Sequence, residues 1–315
     1  IVMKSKKFTK ILTMFLCTVM VIMMFPITAN ADMGPKPSVR ITFENLGNEE
    51  CWGTLLSSKE STGPSSAWNG KEEDAQHNEN PNGYYSYQKF GYDVWKAFVD
   101  YAENDDFFFL QEAWQINETK ELAWTYYPPN EFKILLYFPE TGEFSVSGAY
   151  ERYAFDSYFT VNMDGVKLSV DYNEELSSDE RINAFKSYNY TVEIVSLVAR
   201  IIITILIEMA IALLFGFRKK KQLLLLFGVN AATQIILNVL LNVINYNSGE
   251  LAFVIFYVLF EIAVFVIEAI LYCTIMKKVS ENAKRNWFYV LYALIANAVS
   301  FGSGFIVAQM LPGIF

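Results

Sequence analysis

Four long apolar segments dominate the pattern of hydrophobic and polar positions in the second part of the chain. They cover residues 192–216, 222–245, 251–275 and 287–311. Each segment is long enough to cross about 30 Å of membrane hydrocarbon as a helix. Because the connections between them are short, consecutive helices are expected to pack as antiparallel neighbours. The pattern therefore predicts a four-helix transmembrane bundle over residues 192–315.

The start of the chain has the pattern of a secretory signal peptide. Four lysines precede an apolar run from Ile11 to Ile27, and Ala29-Asn30-Ala31 is typical of a cleavage site. We therefore predict a signal peptide over residues 1–31 that is removed by cleavage. The alternative is an uncleaved anchor helix, because the apolar run is long for a signal peptide.

Residues 32–176 have the shorter hydrophobic periods of a β-rich domain. Residues 38–46 alternate between apolar and polar positions as a strand does. Residues 132–138 and 144–150 flank a short turn and predict a hairpin. The fold class predicted for the whole chain is an α+β membrane protein, in which an exported, sandwich-like β-rich domain precedes the helix bundle.

Two further elements of this domain follow from local signals. Asp164-Gly165 is a tight-turn dipeptide and predicts a hairpin between residues 153–163 and 166–170. Residues 92–101 have helical spacing of apolar positions, and residues 107–116 have the composition of a strand.

A short helix is predicted to connect the domain to the bundle over residues 177–191. Ser177 and Glu180 have the spacing of a capping box, and neither Gly nor Pro interrupts the chain before Gly216. Such a helix would run into the membrane and link the two parts mechanically. The alternative is a simple tether that bends near residues 188–190.

Charge divides the chain in the same place and indicates its orientation. Residues 32–191 carry 28 acidic and 12 basic side chains, a net charge of −16 that would repel nucleic acid. Basic residues are concentrated in two alternate loops of the helical part, at 218–221 and 277–285. The excess of Lys and Arg in cytoplasmic loops predicts a multi-pass plasma-membrane protein with its β-rich domain and carboxyl terminus outside.

Cysteine usage indicates the type of cell. Cys17 lies in the predicted signal peptide and Cys273 in a predicted membrane helix, so only Cys51 remains in the exported domain. An exported domain of this size without a disulfide is typical of a bacterial envelope rather than an animal cell surface.

Polar side chains recur inside the apolar segments. Asn230, Gln234, Asn238 and Asn242 are four residues apart and therefore follow one ridge of the second segment. With the other polar residues at membrane depth they form a predicted intramembrane polar cluster, which consists of Arg200, Glu208, Asn230, Gln234, Asn238, Asn242, Glu261, Glu268 and Asn297. Lipid offers no hydrogen bonds, so these groups are expected to face other helices or a wet cavity.

Helical rise indicates which members of the intramembrane polar cluster share a depth. Glu208, Glu268 and Asn230 fall at a similar level on the side of the basic loops. Glu261 lies nearer the outer side, where Arg200 of the first segment could pair with it. The glutamates could relay protons or cations, or bind a basic residue of a partner. The alternative is that the cluster only holds the helices together.

The sequence offers little for catalysis, so we predict a protein that is not an enzyme and has no catalytic residues, metal site or cofactor. His77 is the only histidine, the four segments contain no Asp, and no Gly-rich phosphate loop is present.

Our leading hypothesis is a bacterial envelope protein whose exported domain binds or senses an unidentified ligand and whose bundle signals to, or docks, a membrane partner or a second copy. The rival is a small oligomeric transporter or channel coupled to protons or cations. A third hypothesis is an envelope scaffold.

Overall fold

The computed structural model describes most of the chain outside its two ends. The described residues are 34–70, 90–171, 177, 180–280 and 283–310, with side chains to residue 304. The predicted signal peptide at residues 1–31 lies outside the described residues.

The described residues up to Lys186 contain nine strands in two sheets. In chain order they are β1 Ser38–Glu44, β2 Trp52–Ser57, β3 Phe108–Phe109, β4 Trp114–Gln115, β5 Glu121–Trp124, β6 Glu131–Phe138, β7 Glu143–Glu151, β8 Asp156–Asn162 and β9 Ala184–Lys186. The first sheet has the order β5-β1-β8-β9, and β1 and β8 run parallel. The second has the order β3-β2-β6-β7, and β4 also pairs with β2.

The two sheets face each other across one apolar core. Val39 and Ile41 of β1 alternate with more polar residues, so their side chains point to the same side of the first sheet. Phe132, Ile134 and Leu136 of β6 in the second sheet belong to the same buried cluster as Val39 and Ile41. The prediction of a β-rich domain before the helices is confirmed, and its two sheets form a sandwich.

A helix covers the other face of the second sheet. Helix α1, Tyr92–Ala102, buries Trp95 and Phe98 on one side, as its helical spacing predicted. Phe98 packs against Phe109 of β3, with ring centroids 5.2 Å apart. This second apolar cluster gives β2 and β6 a buried environment on both faces.

One predicted hairpin is confirmed and the other is wrong. Strands β6 and β7 pair antiparallel around the turn at Gly142, whose φ of 71° favours glycine. Asp164-Gly165 also forms a turn, but residues 166–170 do not return along β8. Strand β8 pairs with β1 and β9 instead, and Ser169 bridges to Phe144 of β7. A turn signal reports local geometry only, whereas the strand partner is chosen by the packing of the sandwich.

The predicted connecting helix over residues 177–191 is wrong. The amide and hydroxyl of Ser177 both donate to a carboxylate oxygen of Glu180, at 3.0 and 2.8 Å, yet the described residues 180–189 are not helical. Residues 184–186 form β9, because the open edge of β8 offers its backbone groups a partner. The first long helix begins at Tyr190, where the Asn189 side chain accepts a hydrogen bond from the Val192 amide at 3.2 Å.

Three helices in the described residues are long and apolar enough to cross a membrane. They are α2, Tyr190–Leu214, α3, Lys220–Leu271, and α4, Asn286–Met310. Helix α3 continues through a π-helical turn at Tyr272–Met276 and a last turn at Lys277–Val279.

Helix α3 breaks at Gly249 and folds back on itself. Gly249 has φ 79° and ψ 178°, which are not helical values. Thr233 donates to Glu268, and Gln222 donates to Ser280, so residues on opposite sides of the break and at similar distances from it along the chain meet. The two halves, residues 220–248 and 250–271, therefore lie antiparallel. The predicted segments 222–245 and 251–275 correspond to these halves.

Replacing Gly249 with Ala should destabilise the protein by about 2 kcal/mol, because a side chain at positive φ is strained. A Cβ atom at this position would also lie 2.5 Å from the Phe155 ring. Thermal or denaturant unfolding of the full chain in detergent measures the change.

Gly228→Ala is the matched control, since a Cβ there meets no atom within 4 Å. It lies inside the helix, so the change should be neutral or stabilising by up to about 1 kcal/mol. Equal stabilities of the two variants would contradict the role given to Gly249.

Candidate functional site

The intramembrane polar cluster is buried where the helices meet. Its nine members lie on all three long helices, and eight of them are at most 8% exposed: Arg200, Glu208, Asn230, Gln234, Asn238, Glu261, Glu268 and Asn297. Asn242 is half-buried, near the end of the first half of α3. The polar ridge of α3 thus faces the other helices, as expected if lipid provides no hydrogen bonds.

Glu268 is the point at which three helical segments join. Its Oε1 accepts a hydrogen bond from Thr233 Oγ1 at 2.7 Å, and its Oε2 accepts one from Asn297 Nδ2 at 2.8 Å. Thr233 belongs to the first half of α3, Glu268 to the second half and Asn297 to α4. One carboxylate therefore holds these segments in a fixed register.

Glu208 links α2 to α4 in the same region. Its Oε1 accepts a hydrogen bond from Ser300 Oγ at 3.0 Å, and its backbone carbonyl accepts one from the Tyr292 hydroxyl at 3.4 Å. Glu208 is close enough to Glu268 and Glu261 for charged carboxylates to repel one another. The sequence-based placement of Glu208 and Glu268 at one depth agrees with this proximity.

Several buried polar atoms of the cluster lack a hydrogen-bond partner among the described residues. They are Glu208 Oε2, Glu261 Oε2, Asn230 Nδ2, Gln234 Nε2 and Asn297 Oδ1. Leaving such a group unsatisfied costs about 1–3 kcal/mol. Apolar side chains would avoid that cost, so the cluster contains more polar groups than helix packing alone requires.

Aromatic side chains close the end of the bundle beside the basic loops. Tyr272 donates its hydroxyl hydrogen to Asn230 Oδ1, and both residues are fully buried. Phe217 stacks on Tyr289 with ring centroids 6.2 Å apart and meets the edge of Tyr292. The intramembrane polar cluster therefore ends in an apolar barrier on this side.

Arg200 does not meet Glu261, contrary to the pairing that we considered from depth alone. It donates a hydrogen bond to Asn242 Oδ1, and its charge interacts with Glu193. Glu193 lies about two helical turns before Arg200 on α2. The long arginine side chain reaches toward the polar end of the bundle, which keeps its charge away from the apolar centre.

A hydrogen-bonded chain runs from Arg200 to the β-rich domain. Asn242 Nδ2 donates to Glu193 Oε2 at 3.5 Å, and the Tyr188 hydroxyl donates to Glu193 Oε1 at 3.1 Å. Burial, and then the nearby Glu193 carboxylate, raise the pKa of Tyr188, so this phenol remains a donor at neutral pH. Tyr188 lies two residues after the end of β9, which makes it one link between the sandwich and the helices.

The sandwich also contacts the break in α3 directly. The Phe155 amide donates to the Tyr246 carbonyl at 2.8 Å, and the Phe155 ring packs on Gly249. Tyr246 lies among other tyrosines, with its ring centroid 5.2 Å from Tyr188 and 6.5 Å from Tyr153. We call these contacts of Phe155, Tyr188, Tyr246 and Gly249 the junction.

A cavity of about 710 Å³ lies beside the junction. It is lined by Asp156 and Tyr158 of β8, by the segment that enters α2, and by the ends of the helical segments. Arg200 and Asn242 belong both to this lining and to the intramembrane polar cluster. The cavity therefore connects the cluster with the β-rich domain.

Sequence reasoning missed the residues on the outer side of this site, among them Glu193, Tyr188 and Tyr257. Two signals were available: Glu193 is seven residues, about two helical turns, before Arg200, and tyrosines at residues 188, 190 and 246 occur at the ends of predicted spans. Neither signal shows that these ends meet.

Metal binding has no support in the described part of the chain, where no three His, Cys, Asp or Glu side chains are grouped to hold an ion. No protein-family model, curated protein or solved structure matches this chain.

The two glutamates on the second half of α3 should differ in their effect on stability. Glu268→Leu removes the acceptor of two hydrogen bonds between segments and should destabilise the full chain by about 1–3 kcal/mol. Glu261 Oε2 has no partner among the described residues, so Glu261→Leu should be neutral or stabilising. Unfolding in detergent measures both, and equal losses would contradict this assignment.

Proposed function

We propose that this chain is a bacterial envelope protein in which an exported binding or sensing domain is coupled to a polar-lined membrane bundle. The single observation that supports this best is the junction, where the sandwich contacts the break in α3. The bundle would pass the state of the domain to a membrane partner or to a second copy of the chain.

We propose four membrane crossings, formed by α2, the two halves of α3, and α4. The antiparallel halves of α3 support two separate crossings, since a continuous helix of this length would far exceed about 30 Å of hydrocarbon. The basic residues at 218–221 and at 277, 278, 284 and 285 lie at the end opposite the junction. Cytoplasmic loops are rich in Lys and Arg, so the sandwich and the carboxyl terminus would lie outside.

The junction can transmit movement because it is short and contains two kinds of contact. Phe155 precedes β8 and is fixed to both Tyr246 and Gly249. Tyr188 follows β9 and reaches Arg200 through Glu193 and Asn242. A shift of these strands would therefore act on α2 and on both halves of α3.

Hydrogen exchange tests the coupling. Phe155→Ala in the full chain, in a lipid bilayer disc, should increase amide exchange at residues 242–250 as well as near β8. The physical reason is that local opening rises when a packing contact is lost. Mass spectrometry of peptides measures both regions in one experiment.

Phe185→Ala is the matched control, because Phe185 lies on the neighbouring strand β9 and is 68% exposed. It should leave exchange at residues 242–250 unchanged. If Phe155→Ala alters exchange only inside the sandwich, the domain and bundle are not coupled and the proposed function fails.

The partner is tested by chemical cross-linking in native membranes followed by purification of the full chain. We expect one stable complex, with either a membrane protein or a second copy. A protein that remains solitary at every cross-linker concentration would refute the docking part of the proposal.

A second candidate function is transport coupled to protons or cations. The observation that favours it is the proximity of Glu208, Glu261 and Glu268, together with the unpartnered oxygen atoms of Glu208 and Glu261. Three buried carboxyl groups at membrane depth are costly and commonly mark ion or proton pathways.

Reconstitution into vesicles distinguishes the two candidates. If the chain is a transporter, it should move protons or cations, and Glu261→Gln or Glu268→Gln should abolish the flux. Glu140→Gln, on the exposed turn between β6 and β7, should have no effect. The absence of flux from the unmodified chain, or full flux in both mutants, would remove these glutamates from a transport mechanism.

A further inference from the structure

The cavity beside the junction is acidic. Its lining contains three carboxylates, Asp156, Glu193 and Glu250, against the single guanidinium of Arg200. Glu193 and Arg200 interact with each other and share Asn242, so their charges largely offset one another. The other two carboxylates are Asp156 of the sandwich, which accepts a hydrogen bond from the Ser38 hydroxyl and lies near the Arg152 guanidinium, and Glu250 at the start of the second half of α3. The cavity therefore attracts positive charge.

Aromatic rings form much of the remaining wall. Tyr158 and Tyr188 come from the sandwich side, and Phe253 and Tyr257 come from the second half of α3. The negative face of an aromatic ring attracts a cation. Phe253 already makes such a contact, with the Arg200 guanidinium 5.6 Å from its ring centroid.

The size of the cavity distinguishes an organic ligand from a metal ion. Its volume of about 710 Å³ lies within the roughly 300–1,000 Å³ typical of small-molecule sites. A bare divalent ion would need several oxygen ligands close together, and no such group occurs among the described residues. Carboxylates spread over an aromatic-walled space fit a cation that carries its own apolar surface.

We propose that this cavity binds a small organic cation, an ammonium group with apolar substituents. The ammonium would lie between Asp156 and Glu250, and its substituents would contact Phe253 and Tyr257. This proposal names the class of ligand for the sensing step. Binding itself does not depend on the proposed function; only the effect of the bound cation on the helices rests on it. Because the lining comes from both the sandwich and the helices, a bound cation would tighten the junction.

Choline is a suitable probe, and 3,3-dimethylbutan-1-ol is its uncharged equivalent of nearly the same shape. Titration of the full chain in a maltoside detergent should show saturable choline binding by calorimetry and a rise in unfolding temperature. The alcohol should show neither, because it lacks the charge. Equal binding of the two compounds would overturn the proposal, as would the absence of binding by any cationic probe.

The same chemistry occurs free in solution and in lipid headgroups. Phosphatidylcholine added to the detergent, compared with phosphatidylglycerol, separates these sources. A rise in the unfolding temperature with free choline supports a soluble ligand. A rise with phosphatidylcholine alone supports a lipid headgroup. Either result supports recognition of a cation, whereas an unfolding temperature that neither compound raises overturns the proposal.

Two substitutions localise the binding. Glu250→Gln should weaken choline about tenfold, equivalent to about 1.4 kcal/mol, and Phe253→Leu should weaken it through loss of the aromatic face. Glu140→Gln, outside the cavity, is the matched control and should bind as the unmodified chain does. Unchanged affinity in both cavity variants would place the cation elsewhere and refute the assignment.

Phe155→Ala separates this inference from the proposed function. If it retains choline binding but choline no longer slows exchange at residues 242–250, both proposals stand. If choline binds the unmodified chain without affecting that exchange, the coupling fails and the binding site stands. If exchange responds to Phe155→Ala while choline does not bind, only the cation site fails.

Discussion

Polar side chains within apolar helices need hydrogen-bond partners from the protein, because lipid offers none, and this constraint organises the helical part of the molecule. Glu268 illustrates it, because its two oxygen atoms take donors from Thr233 and Asn297 on two different segments. Glu208 does the same between α2 and α4 through Ser300. Burial of apolar side chains is non-directional, whereas these hydrogen bonds define which residues lie at the same level.

The sandwich depends on a different force. Its core consists of alternating apolar residues from two sheets, and their burial needs only the correct period along each strand. At the contact between sandwich and helices, neither apolar burial nor hydrogen bonding acts alone. At the junction the chain uses a backbone hydrogen bond, a ring packed on a glycine, and tyrosines that are partly apolar and partly hydrogen-bonding.

The strand and helix elements were predictable where they depend on local periodicity. The β6–β7 hairpin, helix α1 and the apolar helices follow from spacing that the chain carries in itself. The inward direction of the Asn230 ridge also followed, since an amide facing lipid has no partner. The predicted connecting helix at residues 177–191 was wrong, because residues 184–186 pair with the open edge of β8 instead. The predicted hairpin strand at residues 166–170 was also wrong, because the turn forms but these residues do not pair with β8.

By itself, the sequence determined the division into a β-rich part and apolar helices, and which polar residues lie inside. These properties depend on the amino-acid composition and on the period of apolar residues, both of which are set by residues close together in the chain. Only the tertiary structure decided that Arg200 turns to Asn242 and Glu193 rather than Glu261, that Phe155 packs on Gly249, and that an acidic aromatic cavity results. The reason is physical: each of these contacts joins residues far apart in the chain, and their meeting depends on how sheets and helices pack.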